Sequence, residues 1–415
     1  MDSAPGPVPT LDDIRRAHEA LGEAIMRTPF LPAPKLSELT GATIRVKYEN
    51  QQTTNSFKDR GALNKLLSLT EDERRRGVIA LSAGNHAQSV AYHARRLGIP
   101  ATIVMPETTP FVKVGNTRSH GATVELAGDT LVEAEAAMKE LMARHDLVLV
   151  HPFDDFHVIA GQGTVALEML AEDDDLDALV VPIGGGGLMS GVAIAAKALK
   201  PEIELVGVEV RSYSAMWGLM HGQAVEIGGN TLAEGIAVKD VGRLTRAIIS
   251  KHVSDIVRVD EEHVERAVNA YLTLQKTMAE GAGAAGLAAL LAEPERFAGR
   301  KVGLILCGGN IDPRILASIM MRELARENRI VTLRLATPDR PGVLGTIASL
   351  IGRSGGNILD VSHHRLYLEL PAKGASVEIT FEVRDAAHGN EIVAALQAAG
   401  FAVRRLSAIG GAMQA

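Results

Sequence analysis

The sequence predicts an α/β protein whose larger first part has mainly parallel sheets, followed by a smaller module of order βαββαβ. Short β-branched runs alternate with Ala- and Leu-rich segments of helical spacing through most of the chain. Such alternation is typical of parallel strands covered by helices on both faces. The pattern changes near residue 328, where a strand with alternating outward residues begins. We therefore expect two domains, residues 1–327 and residues 328–415.

Strands of the first domain are identified as short runs rich in Val, Ile and Leu. The predicted strands are Thr43–Tyr48, Val78–Leu81, Thr102–Met105, Thr123–Leu126, Leu147–Val150, Leu179–Ile183, Leu205–Val208 and Val302–Leu306. Helical spacing between several of them predicts helices such as Leu131–Arg144 and Val192–Leu199. Ligands of parallel sheets bind beyond the carboxyl ends of the strands, so the residues that follow each strand are candidates for a functional site.

The second domain is predicted from its own short alternation of elements. The strand Ile330–Leu335 is followed by the turn Pro338–Gly342 and the helix Val343–Arg353, and further strands come next. A last helix, Asn390–Ala399, leads into the strand Ala402–Leu406. This order over some 80 residues resembles a ferredoxin-like module.

Composition and charge narrow the class of protein. The chain has 415 residues and a formal net charge of −7, which gives no electrostatic reason to expect nucleic acid or an anionic membrane as partner. Its lone cysteine, Cys307, excludes an internal disulfide and suits a reducing compartment. No basic segment followed by an apolar run opens the chain, and no stretch reaches the roughly 20 apolar residues of a membrane span. We expect a cytoplasmic enzyme.

The first candidate loop contains a lysine directly after a strand. Thr53–Ala62 follows the strand that ends near Glu49, and Lys58 stands close to a helix start predicted at Ser56. A helix N-terminus and a desolvated site both lower a lysine pKa, as a Schiff-base nucleophile requires. Taken alone, a lysine in this position is more often a solvated surface residue.

The second loop, Ser82-Ala83-Gly84-Asn85-His86-Ala87-Gln88, also follows a predicted strand directly. Ser82 is predicted to be the N-cap of the helix that runs through Gln88 and His93. The backbone N–H groups of that helix start would hold a carboxylate, and the amide of Asn85 can donate to a hydroxyl. A capped turn with a structural histidine is the alternative.

The third loop, Gly184-Gly185-Gly186-Gly187-Leu188, lies between the apolar strand Ala178–Ile183 and a helix predicted at Ser190. Successive glycines let the backbone approach an anion and direct several N–H groups toward it. The spacing fits neither the dinucleotide fingerprint nor a P-loop, because no Gly-Lys-Ser/Thr follows. A phosphate site together with a reactive lysine and without a nucleotide motif indicates a phosphorylated aldehyde cofactor.

These residues resemble the fold-type II pyridoxal-phosphate enzymes, and closely the threonine ammonia-lyases (threonine dehydratases). The matching segments follow the family's order over most of residues 15–325. They are Ser56–Ala62, Ser82–Gln88, His151-Pro152-Phe153-Asp154, Gly161-Gln162-Gly163-Thr164, Gly184–Leu188, Glu234-Gly235-Ile236-Ala237-Val238 and Cys307-Gly308-Gly309-Asn310. The resemblance implies pyridoxal 5'-phosphate as cofactor, a small subdomain over about residues 53–153, and a large subdomain formed by the rest of residues 1–327.

The resemblance also implies roles for individual positions. Lys58 would hold the cofactor and move the substrate's Cα proton, and Phe57 would lie against the pyridine ring. Asn85 would bond the cofactor's 3-hydroxyl, while the substrate carboxylate would be held by Ser82, Ala83, Gly84, Asn85 and His86. The phosphate would be bound by Gly184, Gly185, Gly186, Gly187 and the N–H of Leu188. Cys307 falls where the family usually has a serine beside the ring nitrogen, and its thiol is a weaker donor.

The implied reaction converts L-threonine to 2-oxobutanoate and ammonia by β-elimination, and L-serine to pyruvate. Such enzymes act in amino-acid metabolism, including isoleucine biosynthesis, and the sequence leaves a biosynthetic or a catabolic role open. A racemase on the same scaffold is one alternative, although Ala83 replaces the serine that related racemases use. A dehydratase of another β-hydroxy amino acid, such as 3-hydroxyaspartate, is the other.

Two positions depart from the family's usual pattern. Asn55 stands where a small residue is common before the Ser-Phe-Lys sequence. Glu209 matches a divalent-metal ligand of related enzymes, but the carboxylate expected six residues later is Ala215. A lone Glu209 is more often structural, and the sequence leaves open whether Glu209 binds a divalent metal or backbone carbonyls bind a monovalent cation.

The second domain resembles an ACT domain at Thr337–Leu344 and Asn357-Ile358. Such domains pair side by side and bind small amino acids at the strand–helix turn. The resemblance implies an allosteric amino-acid effector and a homodimer or homotetramer. A purely structural dimerisation module remains an alternative.

Overall fold

The computed structural model describes residues 6–364 and 374–406, which fall into two compact units that divide between Ile311 and Asp312. In the first unit the strands are β1 (Phe30–Pro32), β2 (Thr43–Lys47), β3 (Val78–Leu81), β4 (Ala101–Met105), β5 (Thr123–Leu126), β6 (Val148–Leu149), β7 (Ala178–Pro182), β8 (Glu204–Val210), β9 (Asp255–Val259) and β10 (Lys301–Ile305). Its helices are α1 (Leu11–Leu21), α2 (Pro34–Thr40), α3 (Lys58–Leu67), α4 (Glu71–Arg76), α5 (Asn85–Arg96), α6 (Phe111–Ser119), α7 (Leu131–His145), α8 (Phe156–Glu172), α9 (Gly187–Leu199), α10 (Ala215–His221), α11 (Arg243–His252), α12 (Glu261–Gln275), α13 (Gly281–Ala292) and α14 (Pro294–Phe297).

The larger sheet of this unit has the strand order β1-β2-β10-β7-β8-β9. Every pairing in it is parallel except that of β1 with β2. The central strand β7 is buried along its whole length, as expected for a parallel strand covered on both faces. The prediction missed β1, which has three residues, and β9, where Asp255 and Arg258 interrupt the apolar run.

The smaller sheet has the order β5-β4-β3-β6 and is parallel throughout. Apolar residues of α3 and α5 pack against one side, including Leu66 and Val90. On the other side Ala134 and Met138 of α7 pack against Ile79. The predicted parallel α/β architecture is thus confirmed, with two sheets in one unit.

The second unit is built on an antiparallel sheet. Its strands are β11 (Ile330–Pro338), β12 (Asn357–His364), β13 (Gly374–Glu382) and β14 (Ala402–Leu406), and its helices are α15 (Pro313–Arg326), α16 (Val343–Arg353) and α17 (Ala386–Ala398). The sheet order β12-β13-β11-β14, with α16 and α17 packed on its apolar residues, gives the predicted βαββαβ fold. Because α15 groups with this unit, the division lies before residue 328.

No helix within residues 6–364 and 374–406 is long and apolar enough to cross a membrane. The predicted site segments all follow strands of the first unit. The loops after β2, β3, β7 and β10 lead to Lys58, Asn85, Gly187 and Cys307 respectively. Since β2, β7 and β10 are parallel neighbours, three of these loops open at one edge of the larger sheet.

Candidate active site

Lys58 is the first residue of α3, two positions later than the predicted helix start at Ser56. The start shifts because Ser56 forms a bridge with Gly308, while the Phe57 N–H donates to the Cys307 carbonyl at 3.0 Å. The Lys58 Nζ donates to the Pro152 carbonyl at 2.6 Å and lies 5.2 Å from the centre of the Phe57 ring.

The surroundings of Lys58 make its amine easier to deprotonate. Burial lowers the pKa of Lys58 to about 8, although the nearby Glu280 carboxylate offsets part of that shift. Desolvation penalises the ammonium form more than the free amine. About a tenth of the Lys58 amine is therefore neutral at pH 7, far more than for an ordinary lysine with a pKa of about 10.4.

The second loop starts α5 at Asn85, and the prediction that Ser82 is its N-cap was wrong. The N-cap is Gly84, whose own N–H donates to the Ser82 hydroxyl at 3.2 Å, so Ser82 closes a turn before the helix. No side chain caps the start of α5. Its first N–H groups lack intrahelical acceptors and can serve an anion.

His86, in the first turn of α5, is a neutral imidazole. Its Nε2 lies 2.8 Å from the Val150 carbonyl and therefore donates, while the buried Nδ1 has no partner among the described residues. Burial, and to a smaller extent the charge of Lys58, lower the pKa of His86 to about 3. The ring can thus accept a hydrogen bond at Nδ1 but contributes no charge.

The third loop leads into α9 at Gly187, earlier than the helix predicted at Ser190. Gly186 has φ 92°, and no side chain caps the helix. A Cβ on Gly185 would lie 2.2 Å from the Phe153 ring, and one on Gly187 would lie 2.9 Å from the Phe153 backbone. The chain packs so closely here that glycine is required, which leaves the N–H groups of the first turn of α9 open to a phosphate.

The segment His151–Asp154 joins these features. The Pro152 carbonyl accepts from Lys58, and Phe153 lies beneath the glycine loop. The Asp154 carboxylate accepts from the first three N–H groups of α11 at 3.0, 3.0 and 3.1 Å. Its own N–H donates to His151 Nδ1 at 2.8 Å. Four consecutive residues thus fix the lysine, the glycine loop and α11.

Cys307 follows β10 and is buried beside the start of α3. Its thiol donates to the Ile305 carbonyl at 3.3 Å, and burial raises the pKa of the thiol well above its usual value. Cys307 therefore stays protonated and can offer or accept only a weak hydrogen bond.

Glu280 was not predicted from the sequence, and the fold brings it to Asn85, the predicted cofactor contact. Its Oε1 accepts from Asn85 Nδ2 at 2.7 Å, and Asn310 Nδ2 donates to Asn85 Oδ1 at 2.8 Å. Burial raises the pKa of Glu280 to about 7. The only local signal was the run Glu280-Gly281-Ala282-Gly283-Ala284, in which glycines allow α13 to approach the Gly308 backbone closely.

Glu209 has a structural role in this fold. Its carboxylate accepts from the N–H groups of Met216 and Trp217 at 2.9 and 2.8 Å and so caps α10. Burial raises its pKa to about 7. The described parts of the chain contain no group of three or more His, Cys, Asp or Glu residues arranged to hold a metal ion.

A buried ion network supports α3 from behind. Arg60 donates to Glu49 at 2.8 Å and to Glu168 at 2.6 Å, and Lys47 donates to Glu168 at 2.6 Å. Burial alone would lower the pKa of Arg60, but the two carboxylates raise it above its ordinary value. Removing either carboxylate would leave the two buried cations with a single carboxylate, an uncompensated buried charge that is strongly destabilising. The network therefore fixes the helix that begins at Lys58.

The lysine of lowered pKa suits an aldehyde, the glycine loop at the start of α9 suits a phosphate, and the uncapped start of α5 suits a carboxylate. Fold and site together define a pyridoxal-phosphate enzyme of fold-type II. Residues 21–308 match the family model described as pyridoxal-phosphate dependent enzyme, and residues 331–401 match that of the ACT domain. The chain belongs to the pyridoxal-phosphate dependent enzyme family.

The chain is also similar in sequence to known relatives and in fold to solved structures. The chain is 43% identical to an L-threonine ammonia-lyase of Thermotoga maritima, over 95% of this chain and 99% of that protein. It is 39% identical to an L-threo-3-hydroxyaspartate ammonia-lyase of Saccharomyces cerevisiae, over 75% and 97%. The processed form of threonine deaminase isoform 2 from Solanum lycopersicum aligns with a TM-score of 0.70 at 33% identity, covering 77% of this chain and 93% of that one. A maize serine racemase aligns with a TM-score of 0.72 at 32% identity, covering 78% and 100%.

Proposed function

We propose that the chain is an L-threonine ammonia-lyase that forms 2-oxobutanoate and ammonia, and that it also converts L-serine to pyruvate. The observation that carries the proposal is the Lys58 amine, whose pKa burial lowers to about 8, at the start of α3. The similarity to the Thermotoga maritima L-threonine ammonia-lyase over nearly the whole of both chains supports the choice of substrate.

We assign the cofactor contacts to residues of the three loops. Lys58 would carry the covalent link, and Phe57, Asn85 and Cys307 would contact the ring, its hydroxyl and its nitrogen. The phosphate would accept hydrogen bonds from the N–H groups of Gly184, Gly185, Gly186, Gly187 and Leu188. When bound, pyridoxal phosphate withdraws electrons from the substrate Cα, which makes its proton removable.

The chain's own groups would then bind substrate and move protons. The uncapped start of α5, with Ser82, Ala83, Gly84, Asn85 and His86, would hold the substrate carboxylate through backbone N–H groups. Neutral His86 would leave that positive field unchanged. The Lys58 Nζ would take the Cα proton from one face. On the opposite face, the Ala83 methyl group offers no acid or base, which favours elimination over racemisation.

A substrate panel read as 2-oxo acid release tests this proposal. We expect L-threonine to react fastest, L-serine more slowly, and D-threonine and D-serine not to react. Interconversion of L- and D-serine faster than pyruvate release would show a racemase instead. Faster turnover of L-threo-3-hydroxyaspartate than of L-threonine would identify that alternative dehydratase.

Cofactor uptake by the apoenzyme is expected to depend on pH through Lys58. Only the neutral amine attacks an aldehyde, so uptake should accelerate as pH rises and level off above the lowered pKa of about 8. The rate can be followed by stopped-flow absorbance over about pH 6.5 to 10, against an N-acetyl-lysine amide control whose rate continues to rise. A protein rate that follows the control up to pH 10 would contradict a lowered lysine pKa.

We further propose that residues 1–327 carry catalysis and that residues 328–415 regulate it through a small amino acid. The strand–helix turn at Gly342, with φ 89° and no side chain capping α16, supports such a binding site. Activity measured with isoleucine, valine and nucleotides added separately tests this regulation. We also propose a homodimer or homotetramer acting in the cytoplasm, to be determined by light scattering and by fractionation of the source cell.

A further inference from the structure

A continuous row of side-chain hydrogen bonds passes through Asn85 and ends at Glu280. We call its members the amide relay: Asn55, Asn310, Asn85 and Glu280. Asn55 Nδ2 donates to Asn310 Oδ1 at 3.2 Å, and Asn310 Nδ2 donates to Asn85 Oδ1 at 2.8 Å. Asn85 Nδ2 in turn donates to Glu280 Oε1 at 2.7 Å. The four residues come from four separate segments, so the relay is a product of tertiary structure.

The direction of the relay is determined by the Thr54 backbone carbonyl, a group that can only accept. Asn310 Nδ2 also donates to the Thr54 backbone carbonyl at 2.9 Å, which fixes which end of the Asn310 amide is the nitrogen. Since the Asn310 nitrogen also donates to Asn85 Oδ1 at 2.8 Å, the Asn85 nitrogen faces Glu280. Because an amide nitrogen has two hydrogens, Asn85 keeps one N–H for a ligand, while its carbonyl is already engaged by Asn310.

The backbone makes room for Glu280 at this position. A Cβ on Gly308 would lie 2.3 Å from Glu280 Oε1 and 3.0 Å from Asn85 Nδ2, so a side chain there would displace the Glu280 carboxylate from Asn85. The Glu280 N–H donates to the Gly308 carbonyl at 3.0 Å. Glu280 is also the N-cap residue of α13, yet its side chain makes no capping bond. Its carboxylate is directed to Asn85 instead.

We propose that Glu280 and Asn310 are positioning residues, with Asn55 as outer support, which hold the Asn85 amide so that it presents an N–H to the cofactor's ring hydroxyl. The inference rests on the proposed contact between Asn85 and that hydroxyl. An N–H donor stabilises the ring oxygen in its ionised form, whereas a carbonyl in the same place would require the protonated form. Glu280 thus acts through Asn85 rather than on the substrate.

Two substitutions separate hydrogen bonding from side-chain volume. Glu280→Gln keeps an oxygen that can accept from Asn85, while Glu280→Met has similar length and no strong acceptor. We expect Glu280→Met to weaken pyridoxal phosphate binding to the apoenzyme about tenfold and to shift the absorption maximum of the bound cofactor. Glu280→Gln should stay within about threefold of the original chain. The matched control is Glu202→Met, an exposed glutamate at the amino-terminal edge of the larger sheet.

A double-mutant cycle distinguishes positioning from general destabilisation. In an Asn85→Ala background, Glu280→Met should cause almost no further loss of affinity, because the residue it positions is gone. Effects of the two substitutions that add, or a Glu280→Met protein with unchanged affinity and spectrum, would overturn the proposal. If Glu280→Met does not fold, Asn310→Ala takes its place in the cycle, because it alters a half-buried loop residue.

These binding readouts are independent of the reaction. If the original chain releases no 2-oxo acid from any substrate but the cycle shows coupling, the proposed function fails and the positioning role stands. If 2-oxo acid is released and the cycle is additive, the proposed function stands and the positioning role fails.

Asn55→Gly should weaken pyridoxal phosphate binding less than Asn310→Ala does, because the Thr54 carbonyl still holds Asn310. Glycine accepts the φ of 60° at position 55.

Discussion

Lys58→Ala is expected to abolish the visible absorption of bound pyridoxal phosphate and to reduce 2-oxo acid release by about 10⁴-fold. The substitution removes both the proposed covalent attachment and the group that would take the Cα proton. The Lys58 amine combines a lowered pKa with a position near His86 and Cys307. Absorbance spectra and a coupled 2-oxo acid assay measure both effects.

The control for this experiment is Lys139→Ala, which removes an exposed lysine paired with Glu135 on α7. It should leave the spectrum and the rate unchanged. Added ethylamine should restore part of the activity of Lys58→Ala, because a small amine can take up the proton in the space left by the side chain. If Lys58→Ala keeps the absorption band and the rate of the original chain, another residue carries the cofactor.

Gly185→Ala is expected to lower the affinity for pyridoxal phosphate about 100-fold. The added Cβ would lie 2.2 Å from Cδ1 and 2.3 Å from Cε1 of Phe153, so the loop or the ring must move. Moving the loop displaces the N–H groups proposed to bind the phosphate. Equilibrium dialysis of the apoenzyme measures the change.

Two comparisons give this prediction a clear outcome. Gly115→Ala on α6 adds a Cβ with no heavy atom within 4 Å and should not change affinity. Combining Gly185→Ala with Phe153→Ala removes the clash and should recover part of the lost binding. Normal affinity in Gly185→Ala alone would show that the glycine loop is not the phosphate site.

Hydrophobic periodicity explains how far the fold could be predicted from the sequence. Buried strands such as β7 and β10 are nearly continuous apolar runs, and the glycines before α9 interrupt the pattern clearly. β9, an edge strand, was missed because Asp255 and Arg258 interrupt its apolar run, and Asp255 pairs with Arg296. A buried strand can be predicted from its run of apolar residues. The ion pairs that stabilise charged residues in an edge strand depend on distant segments and cannot be predicted in this way.

The three loops of the site were predictable because each is a local motif after a strand. Glu280 was not, since its partner Asn85 lies 195 positions away and nothing in either segment indicates the other. The error at Ser82 has a similar cause. Its hydroxyl is a good N-cap by type, but the backbone turns at Gly84 before the helix begins. Helix boundaries depend on such turns more than on residue preference.

The segment His151–Asp154 has a thermodynamic consequence. It touches the helix that begins at Lys58, the glycine loop and α11, so unfolding any of these elements disturbs the other two. A ligand bound between them adds to the free energy of unfolding of the whole first unit by mass action, by about 2.7 kcal/mol at a hundred times its dissociation constant. The melting temperature of this unit should therefore rise with the free cofactor concentration, which makes cofactor supply a determinant of how long the folded enzyme persists.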